Sequence, residues 1–268
     1  MARLFVLLKK LLPLAIILCW ANKSSAQNLV PNPSFETYTS CPTTVAEIGK
    51  VVSWRVPTNS PATGTGGEST PDYFNCGFYN TGFSGGLEGD PRTGTGALGT
   101  TIVGQYRESF ECTLNATMLA NNPYTVEFYV KYHPNATYIN NFTGPYPTFG
   151  IYFYNSATTT PSWFFGGGIN SYCNATPQLT FPVASITTSY QLVSFTYTPT
   201  ANYNRMIVGY FGGAGEQQRY LNYDDFNITA ACTPPTTPTS ASNSVSCPGA
   251  GYTLSLIHIS EPTRPEDI

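Results

Sequence analysis

The sequence predicts an all-β protein, an antiparallel sandwich or barrel, on three observations. Thr, Tyr, Phe and Val are abundant in the 268 residues, while the strong helix formers Lys, Glu, Arg and Met are scarce. Several segments alternate at the two-residue period of a half-buried strand, and no long stretch carries a helical apolar stripe. Between them, 24 Gly and 22 Pro supply turns. With 10% charged and 14% aromatic residues the chain is unlike a disordered one, and a net charge of −3 leaves no basic footprint for nucleic acid.

The strands follow in order. Val51–Val56 and Ala97–Val103 are short apolar runs. In 124–133, Tyr124, Val126, Phe128, Val130 and Tyr132 form one face, and Thr125, Glu127, Tyr129, Lys131 and His133 the other. Phe149–Tyr154 comes next, then 192–198, where Val193, Phe195 and Tyr197 alternate with Leu192, Ser194, Thr196 and Thr198. Met206–Phe211 and Tyr220–Thr229 complete the set, and turn-rich stretches such as Ser60–Ser69 and Gly82–Gly96 separate them.

The ends differ in character. Met1–Ala26 reads as a secretory signal: Arg3, Lys9 and Lys10 are basic, Leu11–Trp20 is apolar, and Ser24-Ser25-Ala26 offers a cleavage site. The apolar run is shorter than the ~20 residues a bilayer span needs. Leu18 before Cys19 argues against a lipidated cysteine. The main domain is expected over 28–231 and a stiff Pro/Thr/Ser linker over 232–246. Ser244-Val245-Ser246-Cys247-Pro248-Gly249 resembles the first strand of an immunoglobulin-like module, so the truncated start of a second domain is expected at 247–253. Residues 254–268 resemble a translated sequencing-library adapter, which puts the natural continuation beyond 253 and this tail outside fold reasoning.

Behind a signal peptide, Cys41, Cys76, Cys112, Cys173, Cys232 and Cys247 suggest disulfides. Sequence alone leaves many pairings open. The expectation is Cys41–Cys76 and Cys112–Cys173, with Cys232 and Cys247 flanking the linker. No CxxC pair occurs and His is nearly absent, which disfavours zinc. Gly82-Phe83-Ser84-Gly85-Gly86 matches a nucleophile elbow but lacks the strand-turn-helix setting, and His133 lies inside a strand pattern. Gly94–Gly99 matches a dinucleotide fingerprint, yet a strand follows where a helix is required. Sequons stand at Asn115, Asn135, Asn141, Asn174 and Asn227. Glu108 and Glu111 invite a glycosidase reading, but two strand-edge carboxylates beside Arg107 explain them better.

Asn28-Leu29-Val30-Pro31-Asn32-Pro33-Ser34-Phe35-Glu36 opens the domain and Tyr220-Leu221-Asn222-Tyr223-Asp224-Asp225-Phe226-Asn227-Ile228 closes it. Together they resemble the first and last strands of the galactose-binding-like jelly roll found in many carbohydrate-binding modules. Trp54, Thr70–Cys76, Gly94–Leu98 and Tyr106-Arg107-Glu108 resemble the version common in secreted, gliding-motility-associated or adhesin-like Bacteroidetes proteins. The resemblance covers 28–231 and implies an antiparallel β-sandwich jelly roll. It also implies a structural Ca²⁺ joining the terminal strands. Glu36 and Asp224 would supply carboxylates and Ser34 a carbonyl, with Asp225 as the fallback if the register slips. In that reading Phe226 and Ile228 point the same way as Asp224, leaving it half-buried. The alternative is that Glu36 and Asp224 accept backbone hydrogen bonds.

Three functional readings follow. The first is a non-catalytic extracellular binding module of a larger secreted or cell-surface protein, with a glycan or cell-surface polymer as partner. Loop aromatics that could stack on sugars are Phe78, Tyr79, Phe83, Tyr146, Trp163 and Tyr172, with Tyr79, Phe83, Trp163 and Tyr172 put forward as ligand-binding residues. The second is a structural or display domain of an adhesin. The third is an accessory domain of a secreted hydrolase whose catalytic part lies elsewhere.

Overall fold

The computed structural model describes residues 27–60, 70–79, 89–103, 106–133, 148–166, 170–211 and 219–231. The signal segment, Phe83 and the elbow pattern, Tyr146, Cys232, Cys247, the linker, the start of the second module and the adapter-like tail lie outside them.

Asn28–Ala231 forms one compact unit built as two stacked sheets. One has seven strands in the order β1 (Trp54–Arg55), β5 (Phe110–Met118), β12 (Tyr203–Phe211), β7 (Thr148–Tyr154) and β10 (Leu179–Phe181). Beside β12 in this sheet lies β9 (Asn170–Cys173), itself paired with β8 (Trp163–Gly166). The other sheet has six: β11 (Gln191–Tyr197), β6 (Tyr124–Tyr132), β13 (Arg219–Ala230), β3 (Ala97–Val103) and β2 (Asp72–Phe74), with β4 (Tyr106–Arg107) also on β3. Pairing is antiparallel except for β9 beside β12. From β5 to β7 and again from β11 to β13 the chain alternates between sheets, which is jelly-roll topology. Long-range antiparallel pairing lets each strand bury one face, so alternation in sequence becomes alternation across the sandwich.

The core between the sheets is aromatic. Phe226 stacks on Phe128 at 5.1 Å, and Trp54 meets Phe35, Phe110 and Phe226 at 5.2, 5.4 and 5.4 Å. Each such ring, fully buried, contributes about 1.5–3 kcal/mol. The Trp54 indole N–H donates to Asn32 O at 3.0 Å, so its polar atom is not stranded.

The long alternating strands lie close to where their sequence patterns put them. By contrast, β5 was not foreseen, because Glu111 in its midst reads as an edge residue. It runs instead between β1 and β12, and Glu111 is 0% exposed. Lys131, expected on an open face, is also buried, and it pairs with Asp90.

The termini do meet, though the opening segment is a string of bends rather than a strand. Leu29 N donates to Ile228 O at 2.8 Å in one sheet, while Leu29 O accepts from Asn115 N at 2.8 Å in the other. Asn28 Nδ2 donates to Phe226 O, and Phe226 N to Pro33 O.

A bulge corrects the expected orientation of Asp224. Register in β13 shifts between Asp224 and Asn227, with Asp225 at φ 52°. Tyr223 pairs with Val130 and Ile228 with Val126, whereas Asp224 pairs with Tyr129. Tyr223, Phe226 and Ile228 therefore face the core, and Asp224 faces the opposite side.

Cys41 and Cys76 are bonded, with Cα atoms 5.8 Å apart. The second expected pairing does not occur: Cys112 and Cys173 are buried free thiols. Cys112 pairs with Met206 on the inner face, and Cys173 with Phe211 on the outer face of the same sheet. A sheet thus separates the two sulfurs. Burial pushes the Cys173 thiol up to about 11.

Candidate functional site

Ser34, Glu36, Asp224 and Asp225, expected to hold calcium, do converge, around the loop 92–96. Glu36 Oε1 accepts from Thr95 N and Gly96 N, both at 2.8 Å, and Oε2 from Thr95 Oγ1 at 2.8 Å. Asp224 Oδ2 accepts from Arg92 N at 2.7 Å and Thr93 N at 3.0 Å, and Oδ1 from Asp225 N at 2.7 Å. Asp225 accepts from Ser34 Oγ at 2.5 Å, Thr93 Oγ1 at 2.6 Å and the Arg92 guanidinium, which lies over the Tyr129 ring.

All three carboxylates thus face N–H and O–H donors and one fixed cation. Such a donor set does not fit a metal ion unless Arg92 and the 95–96 amides first withdraw. Burial raises Asp224 to about 7, against the pull of its backbone donors. Burial also works to raise Asp225, but Ser34, Thr93 and Arg92 outweigh it and hold that carboxyl below its usual range. The glycines that mimic a dinucleotide fingerprint have a local reason. A Cβ on Gly94, whose φ is +60°, would lie 2.2 Å from Glu36 Oε1, and one on Gly96 2.4 Å from Phe35 O.

Glu108 and Glu111, three residues apart, belong to different surroundings. Glu108 is buried on the six-stranded sheet, accepting Thr101 N at 2.7 Å. Burial and the nearby Asp72 push its carboxyl well above the usual range. Asp72, raised by burial to about 6, accepts the Tyr220 hydroxyl at 2.7 Å and Ala46 N at 2.6 Å. Glu111 stands on the outer face of the seven-stranded sheet, so the two glutamates form no acid–nucleophile pair. Glu111, on β5 between β1 and β12, is not a strand-edge carboxylate.

The outer face of the seven-stranded sheet gathers the remaining chemistry. Glu111 Oε1 accepts Arg55 Nε at 3.0 Å, Arg55 Nη2 at 2.5 Å and Arg205 Nη1 at 2.8 Å. Its Oε2 accepts the Tyr154 hydroxyl at 2.7 Å and Thr58 N at 3.3 Å. A carboxylate removed from water needs such partners, and Tyr154 is held un-ionised by burial first and by Glu111 next. Beside this network the Tyr152 and Tyr154 rings stack at 5.8 Å, because residues two apart on a strand share a face. Phe211 lies 6.3 Å from Tyr152. Trp163 packs on the same cluster, and its indole N–H donates to Thr58 O at 3.1 Å. Thr58 also accepts Arg55 Nη2, at 2.8 Å, which ties the indole to the charged network. Tyr152 and Trp163 are half-buried and Arg55 is exposed.

Of the expected ligand-binding aromatics, Trp163 sits on this face, and Tyr172 lies in β9 opposite Phe164. Tyr79 packs against Phe74, Ala97 and Tyr220 on the six-stranded sheet, its hydroxyl donating to Thr95 O at 3.2 Å. The structure therefore places Tyr79 and Trp163 on opposite sides of the sandwich. Arg55, Tyr152, Tyr154 and Arg205 were missed, and Glu111 was weighed only as a glycosidase or strand-edge carboxylate. The available signal was a glutamate and two arginines inside strand segments of a chain with few charges, since charges in such places must pair.

No protein-family model and no curated protein matches the chain. Solved structures resemble it at low levels. The xylan-binding CBM22-1 domain of Xyn10C from Paenibacillus barcinonensis is 12% identical, with a TM-score of 0.38, covering 77% of this chain and 96% of its own. The family 11 carbohydrate-binding module of Lic26A-Cel5E from Clostridium thermocellum is 10% identical, with a TM-score of 0.36, covering 77% and 95%. The K2 cleaved adhesin domain of Lys-gingipain is 13% identical, with a TM-score of 0.35, covering 74% and 97%. These likenesses carry nothing about ligand.

Proposed function

We propose that residues 28–231 form a non-catalytic glycan-binding module whose ligand lies on the outer face of the seven-stranded sheet. One observation carries this reading: half-buried Tyr152 and Trp163 stand beside polar groups fixed by Glu111. Aromatic faces offer sugar rings flat apolar contact, while oriented donors select among hydroxyl patterns. The resemblance of the opening and closing motifs to carbohydrate-binding modules points the same way. Glu111, held by two guanidinium groups and a phenol, is engaged as a scaffold rather than as a general acid.

The test is affinity electrophoresis against a panel of soluble plant and microbial polysaccharides. At least one should retard the protein. Trp163→Ala and Tyr152→Ala should each weaken that binding about tenfold, the loss of one well-packed contact. Tyr79→Ala, on the opposite sheet, should leave it unchanged. Retention by no polymer, or loss only in Tyr79→Ala, would overturn the proposal. Retention by none would favour the display-domain reading.

A further inference from the structure

We infer that the face formed by Arg55, Arg205, Tyr152 and Trp163 takes a polysaccharide bearing carboxylates, a uronic-acid polymer, an inference that rests on the glycan-binding reading above. Among the described side chains each other ion-paired lysine or arginine has an acid to itself: Lys50 pairs with Glu47, Arg92 with Asp225 and Lys131 with Asp90. Arg55 and Arg205 share the single carboxylate of Glu111. The network thus keeps one positive charge in excess on a protein whose net charge is negative.

The excess charge is presented rather than hidden. The Arg55 side chain is 48% exposed, and its guanidinium is held by Glu111 and Thr58 through Nε and Nη2, leaving Nη1 without an acceptor among the described residues. Arg205 gives Glu111 only Nη1, and its Nε is buried without an acceptor among the described residues. Glu111 itself is fully buried, so an incoming anion meets the guanidinium groups and not the carboxylate that anchors them.

The geometry suits a carboxylate oxygen. Arg55 Nη1 is left to offer charge-assisted N–H donors, and fixing the guanidinium beforehand through Nε and Nη2 removes much of the ordering cost of binding. The Trp163 and Tyr152 rings, tied to the same network through Thr58 and Tyr154, would carry the sugar faces. A neutral glycan would use the rings and leave the excess charge unanswered. A uronate uses both.

Isothermal titration with polygalacturonate, fully methyl-esterified polygalacturonate, neutral β-1,4-galactan and dextran sulfate tests this. Polygalacturonate should bind at least about tenfold more tightly than its methyl ester, which keeps the sugar chain and loses the charge. Its affinity should fall as salt rises. Arg55→Gln should erase the preference for the acid over the ester, while its melting curve reports that the fold is intact. Arg55→Lys, which keeps the charge but cannot both hold Glu111 and Thr58 and present a further donor, should lose most of the preference. Equal binding of acid and ester, or binding of galactan alone, would overturn the inference while leaving the glycan reading standing. Dextran sulfate binding as tightly as polygalacturonate would overturn the carboxylate assignment. Binding of none of the four would overturn the uronate inference, and the glycan reading would then stand or fall on the polysaccharide panel.

Discussion

Replacing Glu111 with Gln removes one charge and almost no volume, and so isolates the electrostatics of the buried network. In the native protein its carboxylate takes three guanidinium N–H groups, a phenol O–H and a backbone N–H at 2.5–3.3 Å. An amide in its place sets N–H against N–H and leaves two guanidinium groups facing each other uncompensated. Breaking a buried ion pair from one side costs about 3–5 kcal/mol. Arg55 is 48% exposed, so water recovers part of its solvation, and the expected cost falls to about 2–3 kcal/mol. For a domain of this size each kcal/mol lowers Tm by about 2–4 °C, which gives a drop of roughly 4–12 °C by thermal denaturation followed with circular dichroism. The double variant Glu111→Gln/Arg205→Met removes one of the opposed charges and should recover part of that loss. A drop below about 2 °C, or strict additivity in the double variant, would refute the network as described.

Other outcomes are as specific. Asp72 is raised by burial to about 6, so the folded state binds its proton more tightly than the unfolded chain does. The stabilisation from that proton is complete below the unfolded carboxylate pKa, about 4, and is lost as pH rises through about 6. Urea midpoints of Asp72→Asn should lose this component between pH 4 and 7, and an unchanged profile would refute it. Glu36→Ala should cost about 1–3 kcal/mol through three lost hydrogen bonds and should speed hydrogen exchange at Thr95 and Gly96. Adding a chelator, or calcium after it, should leave Tm unmoved, and a rise on adding calcium would show the carboxylates turning from the loop to a cation. Reducing Cys41–Cys76, whose residues are 35 apart in sequence, should lower stability by about 3–4 kcal/mol. Peptide mapping should find Cys112 and Cys173 unlinked to each other.

Much of the fold was legible because long strands advertise their period. In β6 the inward residues Tyr124, Val126, Phe128 and Val130 are all buried, as their spacing requires. The two- to four-residue strands β1, β2, β8, β9 and β10 carry too few positions to show a period. The bulge at Asp225 was invisible because one extra residue reverses the facing of everything before it, and no local pattern marks it. Cys112 and Cys173 misled for a related reason: an even count of cysteines says nothing about which side of a sheet each occupies. At the site, aromatic composition pointed to stacking, but only pairing in space brings Arg55, Glu111 and Arg205, from three strands, to one place. Tyr79 and Trp163 looked alike in sequence because both sit among turn formers, and the sandwich sets them back to back.

The hydrogen bonds joining Leu29 to Ile228 and Pro33 to Phe226 run antiparallel, which leaves both ends of the domain side by side. Tension applied between those ends loads these bonds one after another, like a zipper, rather than all at once. Under mechanical load the terminal pair is the first part to open, and the opposing strands of the sandwich are spared until it has.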